Sequence, residues 1–318
     1  MILSGIMFGL TCSLTFGILD ILIASTSRTT GVLQSLILAQ AISAGILLLS
    51  LLQVFVVGIS LQLFLSLLFV GGLLGVVNTL ANLSLYKGLE LGPIAIVSPI
   101  SASYGLVTAL LALFIFHEAI FPLQYLAISL IALSLVLSSL EGFRGLAVGT
   151  QKKQRFQLIS LPHLFLRARK IHINKYKGLL FGLISMLCFG LEFFGISVAT
   201  AHFGPLQPIL WSRLCSVVIL LIYASRKPKP NHVWKKINLK QLGVIALIGF
   251  LDTIGMAWYD LGTTGKSTTS VIAALSSTYT LLPTLVGVVI YHERLPFSQW
   301  VWIGLLIAGI LLFSLPIH

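Results

Sequence analysis

Five ionisable side chains stand inside stretches that are otherwise apolar: Asp20, Glu192, Arg213, Asp252 and Asp260. A charge at the centre of a bilayer costs at least ~2.5–3.5 kcal/mol on insertion scales, so each is a candidate for function. Glu192 lies in FGLEFFG and could take up and release a proton, or hold an amine, as a cavity opens to one side and then the other. Arg213, in LWSRLCS, has the fork geometry to grip a carboxylate or phosphate, and equally to pair with Glu192. Asp252 is either a ligand for solute or a bridge to a neighbouring helix. Asp20 and Asp260 lie nearer helix ends and are expected to reach water. Uncharged polar groups add to the set. Asn78 and Asn82 are four apart and so share one helical face. Tyr104, with Ser98, Ser101 and Ser103, is echoed by Tyr279 with Ser276, Ser277 and Thr278. Serine, threonine and glycine also serve close packing of spanning helices, so the serines alone assign nothing.

Several other chemistries are excluded. Gly265-Lys266-Ser267 ends like a phosphate-binding loop, but the residue five before Gly265 is Asp260 where that loop needs glycine. No Gly-x-Ser-x-Gly nucleophile turn occurs. His117-Glu118 and His292-Glu293 lack the second histidine of a zinc protease helix, and read as caps near the start of the next helix. Cys12, Cys188 and Cys215 have no ligand spacing. No metal or cofactor is expected.

These residues must be positioned by membrane helices. The 318-residue chain is 57% hydrophobic and 9% charged, with mean hydropathy +1.04, whereas a soluble domain carries about 25% charge. At about 20 apolar residues per span, ten spans are expected: 3–24, 32–57, 61–86, 94–116, 119–140, 178–200, 205–224, 240–261, 266–291 and 297–315. The N-terminus reads as the first of them, without the basic region and cleavage site of a signal peptide. Tyr86 and Tyr259 read as interface anchors. Pro93, Pro99, Pro205, Pro208 and Pro283 start or interrupt spans, and a broken helix at membrane depth exposes backbone to a cavity.

The spans form two copies of one unit. Gly5, Phe8, Gly9, Phe16 and Gly17 recur 173 positions later as Gly178, Phe181, Gly182, Phe189 and Gly190, and Tyr86 recurs as Tyr259. After a two-residue insertion, His117, Glu118 and Gln124 recur 175 positions later as His292, Glu293 and Gln299. The organisation is therefore a first repeat over 1–140, a basic polar linker over 141–177 and a second repeat over 178–318. Five spans per repeat is odd, so the second repeat enters the membrane inverted. An inverted pair places its site near the midplane between repeats. The fold class expected is an all-α integral membrane protein of ten transmembrane helices in two inverted five-helix repeats.

Fifteen of the twenty Lys and Arg lie in two loops, nine from Arg144 to Lys177 and six from Arg226 to Lys240. That pattern belongs to cytoplasmic loops rather than to a nucleic-acid surface, and it would place both termini outside the cytoplasm. Within the linker, Phe156 to Lys170 mixes leucines with arginines and suits either a membrane surface or a solvated loop.

The glycine-rich first helix of each repeat, Arg213, the tyrosine and glycine before the fourth helix of each repeat, its Pro/Ser-rich continuation, and the Glu118…Gln124 and Glu293…Gln299 ends together resemble the drug/metabolite transporter superfamily, EamA-type. The resemblance covers nearly all of the chain apart from the linker, which is longer and more basic than is usual there. It implies ten helices around a cavity lined chiefly by the first, third, fourth, sixth, eighth and ninth, and both termini in the cytoplasm, against the charge count. It implies a secondary transporter and not an enzyme, exporting or exchanging small metabolites in the cell (inner) membrane. The expected partners are a small-molecule substrate, protons or a counter-solute, and membrane lipids. The candidate substrate-binding residues are Glu192, Arg213, Asp252, Asn78, Asn82, Tyr104 and Tyr279. Carboxylates beside Arg213 suit a zwitterion such as an amino acid. The alternative reading is a membrane-embedded flippase or transferase for lipid-linked sugars.

Overall fold

A computed structural model describes residues 2–50, 60–117, 122–147, 175–226, 236–264, 269–289 and 297–314. Among these the chain is helical, with short turns between helices. The helices are α1 (Ile2–Thr29), α2 (Val32–Ser50), α3 (Leu61–Leu91), α4 (Ile94–Ala102), α5 (Tyr104–Ile115) and α6 (Pro122–Ala147) in the first repeat. The second repeat has α7 (Lys175–Phe203), α8 (Gln207–Ser225), α9 (Leu239–Thr264), α10 (Thr269–Ser276), α11 (Leu281–Val289) and α12 (Phe297–Ser314). Eight stretches are long and apolar enough to cross a membrane, with α4–α5 and α10–α11 each counted as one. α6 and α12 hold shorter apolar runs, Tyr125–Ser134 and Trp300–Gly309. Large apolar side chains such as Phe69, Phe114 and Leu61 are exposed on the outside, as lipid-facing positions must be. The protein is a multi-pass integral membrane protein of two inverted repeats.

The expected spans fall on these helices, with differences at the ends. α6 runs on to Ala147 and α7 begins at Lys175, so both helices reach into what the sequence assigns to the linker. Residues 156–170, Glu118, residues 265–267 and the His292-Glu293 pair lie outside the described residues.

The fourth span of each repeat is broken, as its prolines and serines suggest. α4 carries Pro99 internally and ends at Ser103, from which α5 restarts. A proline cannot donate to the helical ladder, and its ring crowds the carbonyl four residues back. In the second repeat a 3₁₀ turn, Ser277–Thr280, joins α10 to α11. Ser103 and Thr278 are repeat mates. Repeat symmetry also governs the turn between each repeat's first two helices. Gly31 has φ 103° and Gly204 has φ 81°, a left-handed conformation that glycine adopts without strain. They are 173 positions apart.

Lipid offers no hydrophobic force between helices, so close approach through small residues must hold the bundle. The repeated glycines do this in pairs. A Cβ on Gly9 would sit 2.7 Å from Leu275 Cβ, and one on Gly17 would sit 2.9 Å from the Tyr279 carbonyl, so α1 lies directly on the α10–α11 span. Their mates repeat the arrangement: Gly182 meets Ile100 and Gly190 meets Val107, laying α7 on α4–α5. Gly75 sits against Ser212 and Cys215, and Gly249 against Ala39 and Ile42. Thr79 donates to Ser216 Oγ and Thr253 to Ser43 Oγ, both at 2.9 Å. Each repeat's first two helices thus pack on the third helix of the other repeat, and its first helix also on the other repeat's broken span. The broken spans cross each other at Gly105, where a Cβ would lie 2.5 Å from the Ala273 carbonyl.

Gly105→Ala should therefore force the crossing apart. Overpacking of this kind costs about 1–3 kcal/mol, read as a lower melting temperature in detergent. Gly72→Ala, where nothing lies within 4 Å of the added carbon, should leave the melting temperature unchanged or slightly raised.

Candidate functional site

The crossing helices enclose a central cavity of about 30 Å³, lined by Phe16, Leu19, Asp20, Asn82, Leu85, Tyr104, Phe189, Phe193, Arg213, Asp252, Met256 and Tyr279. That is room for about two water molecules, so its own side chains leave little free space. Its walls come from α1, α3, α5, α7, α9 and the 3₁₀ turn, with α8 contributing Arg213. Of the sequence candidates, Arg213, Asp252, Asn82, Tyr104 and Tyr279 line the cavity. Glu192 and Asn78 do not, and instead meet each other behind its wall, between α7 and α3.

Arg213 is 1% exposed and its partner is Asp252, not Glu192. Its Nη2 lies 3.0 Å from both carboxylate oxygens of Asp252 on α9, and its Nη1 donates to Gln40 Oε1 on α2 at 3.1 Å. Gln40 occupies Arg213's own place in the first repeat. The guanidinium is thereby charge-balanced and ties α2, α8 and α9 together. Its Nε–H is buried without a partner.

Glu192 is also 1% exposed. Asn78 donates to its Oε1 at 2.5 Å, and Asn82 donates to the backbone carbonyl of Asn78 at 3.1 Å. Glu192 Oε2 and Asn78 Oδ1 are buried with no partner. Both are acceptors, and a buried acceptor left unpaired is costly. A proton on the carboxyl would turn one of these acceptors into a donor.

Asp20 and Asp260 depart from the sequence reading, which expects both to reach water. Asp20 is 2% exposed, and Ser98 donates to its Oδ2 at 2.6 Å. The break between α4 and α5 brings Ser98 inward to meet it. Asp260 is fully buried and accepts from the Thr200 hydroxyl, and from the backbone N–H of Leu206 at 2.6 Å. Leu206 has φ 66°, and the carboxylate fastens this left-handed residue at the start of α8. Tyr86 and Tyr259 are buried core residues rather than interface anchors. Phe193 packs edge-on against Tyr259 at 4.5 Å.

Two fasteners close the cavity region at opposite membrane faces. At the end of α1, Arg28 donates from Nε to the Leu89 carbonyl at 3.1 Å and from Nη2 to the Gly92 carbonyl at 2.8 Å. These are carbonyls at the C-terminus of α3, where a cation is favoured. At the other face, Asp260 near the end of α9 holds Thr200 of α7 and the turn into α8. The two fasteners join equivalent elements in the two repeats with reversed charge. Sequence reasoning missed Arg28, whose one signal was a cation in the last turn of an apolar helix.

A family model for the EamA-like transporter family matches residues 3–140 and again residues 176–315. The chain belongs to the EamA-like transporter family. That makes it a membrane protein of the drug/metabolite transporter type, a family of transporters rather than enzymes. A solved crystal structure of a protein matches over 98% of this chain and 98% of its own, with TM-score 0.65 and 18% identity. At that identity the likeness bears on the fold alone. A search of curated proteins finds no match.

Asp252→Ala should leave a buried cation uncompensated and destabilise the protein by about 3–5 kcal/mol. The Arg213→Met, Asp252→Leu double variant should recover most of that loss, because both charges go together. Unfolding in detergent of wild type, Arg213→Met, Asp252→Leu and the double variant reads the coupling, and additive losses would contradict the pairing.

Proposed function

We propose that the chain is a secondary transporter that carries a small metabolite by alternating access of its two inverted repeats, with the central cavity as the binding site. The observation that carries this reading is the cavity itself. It lies where the broken spans cross, is lined by charged and aromatic groups from both repeats, and is capped at both faces by equivalent fasteners. A closed intermediate of an alternating-access cycle has these features. In this reading Arg28 parts when one face opens and Asp260 when the other does.

Glu192 is the coupling residue in this reading. Its orphan oxygen, and that of Asn78, support a site occupied by a proton in part of the cycle. The cycle is export or exchange, driven by a proton or a counter-solute. The case for a zwitterion such as an amino acid rests on Arg213 being free to hold its carboxylate, and the pairing with Asp252 removes that ground. A lipid-linked sugar flippase or transferase would place acidic groups along one membrane face, whereas Asp20, Glu192 and Asp252 cluster inside the bundle.

Profiling of metabolites in cells and medium, with wild type and Glu192→Gln at equal membrane levels, tests the reading. One solute class should redistribute with wild type, and the variant should lose both the redistribution and its dependence on external pH. A variant that transports like wild type at every pH would remove Glu192 from the cycle. If wild type moves nothing, the transport reading itself fails.

A further inference from the structure

The aromatic side chains around the cavity obey the repeat, and one position does not. Phe16 and Phe189 are mates 173 apart, and Tyr104 and Tyr279 are mates 175 apart. Together with Phe193 they form a continuous set of rings. Tyr104 stacks on Phe193 at 4.5 Å between centroids and lies 6.3 Å from Tyr279. Phe16 meets Phe193 edge-on at 5.9 Å and Tyr279 at 6.1 Å. Phe193 itself is the mate of Asp20. Where symmetry would close the box with another ring, the first repeat supplies a carboxylate.

That carboxylate lines the cavity and is 2% exposed. Among the described residues it has no cationic partner, and Ser98 is its hydrogen-bond donor. The charged groups that share the lining are Arg213 and Asp252, and these balance each other. Arg213 is further occupied by Gln40. Glu192, behind the wall, adds a second carboxylate without an ion-pair partner. With its carboxylates ionised, the cavity lacks positive charge to match them, and that shortfall is centred on Asp20.

A carboxylate that shares one cavity lining with several aromatic rings is a site for a weakly hydrated cation. Ring faces attract an ammonium through their quadrupoles, and more strongly once water is removed. The same faces repel an anion, and nothing else in the lining is free to neutralise one. We infer that the cavity selects an organic cation, an amine or alkylated ammonium on a compact apolar or aromatic body, held by Asp20 and the ring set of Phe16, Tyr104, Phe193 and Tyr279. In the closed conformation the stacked Tyr104–Phe193 pair fills the space that the body of this ligand takes when the cavity opens. This assignment rests on the transporter reading for its function but on the lining alone for its chemistry.

Three probes with one apolar body and different charge test it: 2-phenylethylamine as cation, phenylalanine as zwitterion and 3-phenylpropionate as anion. Equilibrium binding to the purified full chain in detergent should favour the cation by about tenfold or more over both others. Asp20→Asn should weaken the cation by about tenfold and leave the anion little changed. If Asp20→Asn does not fold, Phe193→Leu and Tyr279→Leu take its place, each expected to weaken the cation severalfold and the anion not at all. Tighter binding of the zwitterion or anion, no binding of any probe at millimolar concentration, or a cation affinity indifferent to Asp20 or to both ring variants would overturn the inference. Flux in proteoliposomes separates the two readings. Cation binding without flux of the bound probe supports the site and counts against transport, whereas flux of another solute without cation binding does the reverse.

Discussion

Arg213 carries a permanent charge into a helix that crosses the membrane, and the arrangement of the interior follows from how that charge is balanced. A lone guanidinium at this depth would resist insertion. Asp252 supplies the counter-charge and Gln40 an acceptor, from α9 and α2 respectively. Both partners belong to helices that must then stay beside α8, which fixes the rotation of three spans at once. With Arg213 committed in this way, Asp20 lines the cavity and, among the described residues, has no cation of its own.

Close packing is the second condition, and it explains why the repeats are interleaved rather than side by side. Gly9, Gly17, Gly182 and Gly190 let each repeat's first helix touch the other repeat's broken span, so closely at Gly9, Gly17 and Gly190 that an added Cβ would force a neighbour to shift. The hydroxyl pairs Thr79–Ser216 and Thr253–Ser43 pin α3 to α8 and α9 to α2. A bundle held by backbone approach and hydroxyl pairs can slide along such contacts more readily than one held by interlocking large side chains. The polar and aromatic lining then sits at the crossing, where motion of one repeat against the other changes its shape most.

Much of this was legible in the sequence because it depends on composition and periodicity. The ten spans follow from apolar length, and the inverted repeat from matched residues such as Phe16 with Phe189 and Gly17 with Gly190. The break in the first repeat follows from Pro99. The ring set was not read as such, because Phe193, which joins Tyr104 to Phe16, has no aromatic repeat mate. Partner choice was not legible. Whether Arg213 meets Glu192 or Asp252 depends on helix rotation and on which helices are neighbours, and spacing along one helix cannot give either. Burial of Asp20, Asp260, Tyr86 and Tyr259 was misread for a related reason. Their distance from helix ends, counted in residues, said nothing of the neighbouring segments folded over them. The partners of Arg28 gave no signal in the sequence because these acceptors, Leu89 and Gly92, lie some sixty residues away.

The central claim is that the two faces open in alternation around a cavity shared by both repeats. Distances between paired spin labels test it most directly, with one pair at Thr29 and Glu90 beside the Arg28 fastener and the other at His202 and Leu261 beside Asp260. In lipid bilayers each pair should sample a short and a long distance. Asp260→Ala should lengthen the second pair while the first stays short, and Arg28→Ala should do the converse. Both pairs lengthening together, or neither responding to loss of its own fastener, would contradict that claim.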